Sequence, residues 1–155
     1  MRLTEILQPA FVKVDLAATD KQQAISELVD LLGAADAIED VEALREAVWN
    51  REQTRTTGIG HGIAIPHGKI AQCTHLTMAL GKTATPIEFG AIDGRPVELI
   101  FLLASPRDQT GPHIQALAQI SHLLTDDDFR TTIMKASSAE EIYGLIAGQE
   151  AKAPA

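Results

Sequence analysis

The chain has 155 residues, of which 45% are hydrophobic and 22% are charged, and its formal net charge is −8. This composition excludes an intrinsically disordered chain, and the length suits one domain. The 13 basic side chains against 21 acidic ones disfavour a nucleic-acid partner, because such a partner requires a basic surface.

Helical and extended patterns alternate along the first third of the chain. Residues 11–16 show the alternation of a short strand. A helix is expected to follow from an N-cap at Thr19 or Asp20, and Gly33 is expected to end it in a left-handed conformation. A second helix is predicted to begin near Asp40 and to end around residues 51–54.

The middle of the chain has an extended character, and the last third is helical again. Extended segments are predicted at 62–65, 75–81 and 97–104, and helices at 111–124, 126–136 and 138–147. The segment 97–104 is almost wholly apolar, which is typical of a strand covered on both faces. Glu98 interrupts it and points either to an exposed edge or to a functional site.

Strands placed between helices predict a three-layer α/β/α sandwich with a small mixed β-sheet. We expect one domain over residues 1–150 and a frayed tail over residues 151–155. No apolar run reaches the roughly 18 residues that cross a bilayer, so membrane insertion is not expected. The single cysteine, Cys73, cannot form an internal disulfide, and the expected compartment is the cytoplasm.

Residues 56–69, TTGIGHGIAIPHGK, differ from the rest of the chain. Three glycines within five residues allow close backbone approach and open N–H groups, which suit an anion. The stretch lacks the GxxxxGK[ST] pattern of a P-loop, and no predicted strand precedes it as a dinucleotide-binding fingerprint requires. The glycines alone therefore identify no ligand.

His67 stands between Pro66 and Gly68, directly after a short apolar run. Proline fixes the backbone and glycine leaves the next amide open, so the ring is expected to face outward at a strand end. Neutral imidazole, with a reference pKa of about 6.5, is an available nucleophile at neutral pH. From these residues alone, a histidine that merely caps a turn fits equally well.

The segment TGIGHGIAIPHGK resembles the active-site segment of the enzyme IIA proteins of the phosphoenolpyruvate-dependent phosphotransferase system (PTS), in the fructose/mannitol and nitrogen-regulatory class. Its residue pattern is most similar to that of the nitrogen-regulatory branch. Two further blocks, residues 89–106 and 108–113, resemble the same family in the same order, and the resemblance extends over about 3–147.

The resemblance implies that His67 accepts a phosphoryl group from a histidine of an HPr-like carrier and passes it on or holds it as a signal. Matching positions also implicate Arg51 and His113 in catalysis. Phosphoryl transfer requires three charged oxygens to be positioned and neutralised. The predicted phosphate-binding groups are the amide of Gly68 and a hydroxyl of Thr56 or Thr57.

No cofactor is expected, because the phosphohistidine donor is already activated. No metal is expected either: His113 and His122 are nine residues apart on opposite faces of one predicted helix, and the spacing of His61 and His67 does not match zinc sites. The expected partners are an HPr-like phosphocarrier and regulatory target proteins bound by direct contact.

Two other functions remain open at this point. The same fold can serve as a non-catalytic protein-interaction module, in which His67 would be structural. A sugar-specific IIA would instead pass the phosphoryl group to a IIB partner. The sequence does not identify the acceptor.

Overall fold

The computed structural model describes residues 1–71 and 73–152. Within them, five α-helices span Lys21–Ala34 (α1), Val41–Thr54 (α2), Thr110–Leu123 (α3), Asp127–Met134 (α4) and Ala139–Lys152 (α5). Six strands span Val12–Leu16 (β1), Gly58–Gly60 (β2), Ile63–Ala64 (β3), His67–Ile70 (β4), Thr77–Ile87 (β5) and Val97–Pro106 (β6). Two short 3₁₀ helices, Leu3–Glu5 and Pro9–Phe11, precede β1.

The strands form one mixed sheet in the order β1-β5-β6-β3-β2, and β4 also pairs with β6. Strand β5 runs antiparallel to β6, while β3 and β4 run parallel to it, one after the other along the same side. Ile63 lies opposite Leu99, and His67 lies opposite Leu103. The C-terminal half of β6 therefore carries the strand that begins at His67.

Helices cover both faces of this sheet. Gly81 of β5 packs against α1 and Gly68 of β4 packs against α2, so these two helices share one face. On the other face, Ser105 of β6 contacts His113 of α3, and Lys82 of β5 donates to a carbonyl just after α4. Helix α5 packs against α4. The predicted three-layer α/β/α sandwich with a small mixed sheet is confirmed.

The observed starts of α1 and α2 agree with the boundaries predicted from the sequence, but the observed end of α1 does not. The carboxylates of Asp20 and Asp40 each accept a hydrogen bond from the backbone N–H three residues on, which caps α1 and α2. The expected end of α1 at Gly33 is wrong. Gly33 lies inside the helix, and its lack of a side chain makes room for Val41, since a Cβ there would lie 2.6 Å from Cγ2 of Val41. Asp36 takes the left-handed conformation instead, with φ of 57°.

Strand boundaries also differ from the sequence expectation. The short strands β2 and β4 were not predicted, and β2 joins β3 through a turn in which His61 and Gly62 have positive φ. The strand expected at 75–81 begins at Thr77 and continues to Ile87. Helix α5 extends through Lys152, so residues 151 and 152 of the predicted tail are helical, and residues 153–155 lie outside the described residues.

Strand β6 forms the centre of the hydrophobic core. All of its residues are buried except Glu98, which confirms the expectation of a strand covered on both faces. Glu98 is exposed beside the hairpin at Gly62, toward the end of the sheet away from His67. None of the described helices is long and apolar enough to cross a membrane.

Candidate functional site

His67 is the first residue of β4, and its ring is half-buried. The sequence placed it at the end of a strand, whereas it opens a separate one because Pro66 interrupts the chain between β3 and β4. Its Nδ1 lies 2.9 Å from the carbonyl oxygen of Ile65. A carbonyl only accepts hydrogen bonds, so Nδ1 carries the proton and Nε2 of the neutral ring is left with a free lone pair.

Gly68 has a packing role that the sequence did not show. A Cβ at this position would lie 2.9 Å from the backbone nitrogen of Val48 and 3.1 Å from the backbone carbon of Ala47. Strand β4 therefore approaches the backbone of α2 at a distance that only glycine permits. This contact fixes the strand that carries His67, and the phosphate-binding role of the Gly68 amide stays a prediction.

His113 lies in the first turn of α3 and is buried. Its ring stands edge-on to that of His67, with the ring centroids 5.1 Å apart and an interplanar angle of 64°. Its Nδ1 lies 2.5 Å from the hydroxyl of Ser105. The two histidines are 46 positions apart in the sequence. Their rings are in contact where β4 and α3 begin.

Both imidazoles are held in the neutral form. Burial lowers the pKa of His67, and the nearby cations Arg51 and Lys69 lower it further, against the opposing effects of the Ile65 carbonyl and Glu52. Burial lowers the pKa of His113 to about 4, with additional repulsion from His67 and Lys69. At neutral pH the pair therefore supplies lone pairs and N–H donors rather than positive charge.

Arg51 and Lys69 make this region locally positive on a chain of net charge −8. Arg51 is in the last turn of α2, and its Nη1 donates to the carbonyl of Arg55 at 3.0 Å. Lys69 is exposed and lies two residues after His67 on β4, which places it on the same face of the sheet. Lys69 was not among the residues predicted for the site, because the short strand that places it beside His67 was not predicted either.

The two threonines predicted to bind phosphate have partners within the chain. The Thr56 hydroxyl donates to the carbonyl of Phe89 at 2.6 Å. Thr57 is buried, and both its backbone N–H and its hydroxyl donate to the carboxylate of Glu52. Their phosphate-binding roles stay predictions, but both side chains connect this segment to its neighbours.

Glu52 is a second residue that the sequence analysis missed. It is only 2% exposed, and its charge is balanced by Lys21 of α1, whose Nζ lies 3.3 Å from Oε2. The Lys21 ammonium also donates to the carbonyl of Phe89 at 3.1 Å. This partly buried ion pair joins the end of α2 to the start of α1 next to Arg51, and Glu52 also binds Thr57.

The remaining histidines do not join the site. His61, His75 and His122 are exposed and lie in a hairpin turn, a loop and the end of α3. Within residues 1–71 and 73–152, no group of three or more His, Cys, Asp and Glu side chains is placed to hold a metal ion.

A family model described as "Phosphoenolpyruvate-dependent sugar phosphotransferase system, EIIA 2" matches residues 5–149 of this chain. The chain belongs to this family. It is 34% identical to a nitrogen regulatory protein of Bradyrhizobium diazoefficiens, over 95% of this chain and 95% of that protein. The crystal structure of nitrogen regulatory protein IIA-Ntr from Neisseria meningitidis superimposes with a TM-score of 0.85 at 33% identity, covering 92% of this chain and 97% of that one.

A relative with a longer chain matches as well. The chain is 34% identical to the PTS system fructose-specific EIIABC component of Bacillus subtilis over 94% of its own length, and spans 23% of that protein. The resemblance seen in the sequence is confirmed at the level of the EIIA family and its nitrogen-regulatory members. A phosphocarrier or regulatory role in phosphoryl transfer follows from this membership.

Proposed function

We propose that His67 accepts a phosphoryl group on Nε2 from the phosphohistidine of an HPr-like carrier. The observation that carries this proposal is the hydrogen bond from Nδ1 of His67 to the carbonyl of Ile65. It fixes the proton on the nitrogen that faces the backbone and leaves Nε2 as the nucleophile. The lowered pKa of His67 keeps that lone pair available at neutral pH.

The transfer balances without a cofactor. The Nε2 lone pair of His67 forms the new N–P bond, while the P–N bond of the donor breaks and its electron pair returns to the donor imidazole. His67 keeps its Nδ1 proton throughout, and the phosphorylated ring becomes electron-poor. The carbonyl of Ile65 then stabilises the more positive N–H, since hydrogen bonds to charged donors are stronger.

The three phosphoryl oxygens require positive groups and hydrogen-bond donors. Arg51 and Lys69 are near enough to His67 to shift its pKa, and we assign them to neutralise these oxygens. The amide of Gly68 and the hydroxyl of Thr56 or Thr57 are retained as neutral donors. Buried Glu52, paired with the partly exposed Lys21, anchors the segment to which the threonines belong.

His113 is assigned the role of a neutral donor to the phosphoryl group on His67. Its ring centroid is 5.1 Å from that of His67, which leaves it within reach of an oxygen on the phosphorus. A cation is disfavoured at the start of a helix, and the pKa of about 4 agrees with a neutral ring. Neutral His113 therefore contributes an N–H donor without adding a further positive charge to the site.

A protein donor is favoured by the surface next to the pair. Ile114 follows His113 and is 59% exposed, so an apolar contact is available directly beside the reacting group. We propose that the HPr-like carrier docks here, in the cytoplasm, and that regulatory target proteins bind the chain by direct contact. A IIB protein that accepts the phosphoryl group remains the alternative for a sugar-specific IIA.

Intact-mass measurement tests this proposal. The chain is incubated with phosphoenolpyruvate, enzyme I and either a nitrogen-type or a sugar-type HPr carrier, alongside His67→Ala and His122→Ala. We expect a carrier-dependent, acid-labile gain of one phosphoryl group in the wild type and in His122→Ala, and no gain in His67→Ala. His122 is exposed on α3, so its loss controls for removal of a histidine.

Two results would contradict the proposal. Labelling of His67→Ala equal to that of the wild type would place the phosphoryl group on another residue. No labelling of the wild type by either carrier would favour the non-catalytic interaction module.

A further inference from the structure

Ser105 is fully buried near the end of β6, and it lies directly behind His113. Its Oγ is 2.5 Å from Nδ1 of His113. In the parallel pairing of β4 with β6, Ser105 is opposite Lys69, on the sheet face that α3 covers. No motif in the sequence singles this serine out.

The direction of this hydrogen bond follows from counting donors and acceptors. Within the described part of the chain, the Ser105 hydroxyl has His113 as its one hydrogen-bond partner. If Nδ1 carried the proton, the serine hydroxyl would accept, and its own hydrogen would be buried without an acceptor. If the hydroxyl donates, only acceptor capacity on oxygen is left unused, which is the less costly outcome.

We infer that Ser105 is a positioning residue that donates to Nδ1 of His113 and so fixes the proton of that ring on Nε2. This inference rests on the proposed role of His67 as the phosphoryl acceptor. A neutral imidazole has one N–H and one bare nitrogen, so a donor at Nδ1 places the N–H at Nε2.

The depressed pKa of His113 agrees with this arrangement, because a donor hydroxyl at Nδ1 is compatible only with an unprotonated nitrogen there. The two rings then have opposite protonation at Nε2. His67 is bare at Nε2 because a backbone carbonyl holds its Nδ1 proton, whereas His113 is protonated at Nε2 because a hydroxyl occupies its Nδ1. One ring bonds phosphorus, and the other presents a neutral N–H to a phosphoryl oxygen.

The test combines a spectroscopic readout with a rate. Wild type, Ser105→Ala and the control Thr83→Val are prepared with ¹⁵N-labelled histidine, and long-range ¹H–¹⁵N correlation spectra give the tautomer of His113. The initial rate of phosphorylation from the HPr carrier is followed by intact mass. Thr83 is a matched control, because it is also a buried hydroxyl of the same sheet and its Oγ1 has no partner among the described residues.

We expect the Nε2–H tautomer in the wild type and in Thr83→Val. Ser105→Ala should lose this preference and be phosphorylated about tenfold more slowly, the effect of one lost hydrogen bond on a reacting group. The label should remain on His67. A change of tautomer separates this role from simple packing, because a cavity alone does not choose between the two ring nitrogens.

Three results would overturn the inference: an Nδ1–H tautomer in the wild type, an unchanged tautomer in Ser105→Ala, or an unchanged rate in that variant. If the wild type takes no label at all, the proposed function of His67 fails, while the spectra still decide whether Ser105 sets the proton of His113. If circular dichroism shows that Ser105→Ala does not fold, Ser105→Cys takes its place, because a thiol of similar shape is a weaker donor.

Discussion

The two histidines of the site are held by different parts of the fold. His67 opens a strand, is half-buried, and bonds through Nδ1 to the backbone carbonyl of Ile65. His113 is buried in the first turn of a helix and bonds through Nδ1 to the side chain of Ser105. The proton of His67 is thus set by the path of the main chain, whereas that of His113 depends on a single side chain.

This difference separates what the fold guarantees from what one substitution can change. The backbone carbonyl of Ile65 holds the Nδ1 proton of His67 and leaves Nε2 bare. The hydrogen-bonding role of His113 is instead adjustable, because a different residue at position 105 would remove its partner. The acceptor is therefore the fixed half of the pair, and the second histidine is the half that can be tuned.

Among variants that keep His67, the largest expected effect comes from removing the second histidine. We predict that His113→Ala is still labelled on His67, with an initial rate about a hundredfold lower, as is typical when one donor to a developing charge is lost. Quenched-flow samples analysed by intact mass and peptide mapping give both the rate and the position. His122→Ala is the control on the same helix. A rate equal to that of the wild type would show that the two rings do not act together.

Acid should destabilise the fold through His113. Its pKa is about 4 in the folded chain and about 6.5 when unfolded, so the unfolded state binds more protons between these values. The contribution of His113 to the free energy of unfolding is then fully present above about pH 6.5. It falls as the pH drops toward 4, by as much as about 3 kcal/mol. The lowered pKa of His67 acts in the same direction.

Urea unfolding at several pH values measures this dependence. The variant His113→Gln should lose most of the decline between pH 6.5 and pH 4. His122→Gln should keep it, because that side chain is exposed on the same helix. Equal slopes for His113→Gln and the wild type would mean that the buried histidine is not the group that titrates.

A substitution at Gly68 tests how closely the strand that carries His67 packs against α2. A Cβ would lie 2.9 Å from the backbone nitrogen of Val48 in α2, so we predict that Gly68→Ala costs about 1–3 kcal/mol of unfolding free energy. Gly144→Ala, in open space within α5, should instead gain about 0.5–1 kcal/mol. Urea titration of both variants measures this, and similar values for the two would refute the close-approach explanation.

The smallest effect concerns the charge of Lys69. Its ammonium lowers the pKa of both His67 and His113, so Lys69→Ala should raise both pKa values toward the ordinary histidine range. NMR titration of the ring protons measures the change, and Lys135→Ala, on the exposed surface after α4, should leave both values unaltered. If Lys69→Ala changes the pKa of neither histidine, the assignment of Lys69 to the phosphoryl oxygens would be contradicted.

Much of the fold could be predicted from local sequence. Asp20 and Asp40 predict the starts of α1 and α2, because their carboxylates cap the first turn of each helix. The apolar run of β6 predicts its burial on both faces. The strands β2 and β4 could not be found this way, because three or four residues are too few to show an alternation. Gly33 was misread because its small size serves a contact with Val41, which no local pattern reports.

The residues of the site also fall into two groups, those predicted from the sequence and those found only in the structure. Family wording pointed to Arg51, His67 and His113, and the structure brings the two histidines into ring contact. Lys69 was missed because β4 is too short to be recognised from its pattern. Ser105 and Glu52 were missed for a different reason. Their partners lie across the fold: the hydroxyl of Ser105 meets a helix, and Glu52 pairs with a lysine 31 residues away in the chain. Contacts of this kind require the tertiary structure.

NMR of the phosphorylated chain can show whether the phosphoryl group is carried on Nε2 of His67. Protein labelled with ¹⁵N-histidine is phosphorylated through the carrier, and the ³¹P–¹⁵N coupling identifies the bonded nitrogen. We expect coupling to Nε2 of His67, with Nδ1 still protonated and bonded to the carbonyl of Ile65. Coupling to Nδ1 of His67, or to a nitrogen of another histidine, would contradict it.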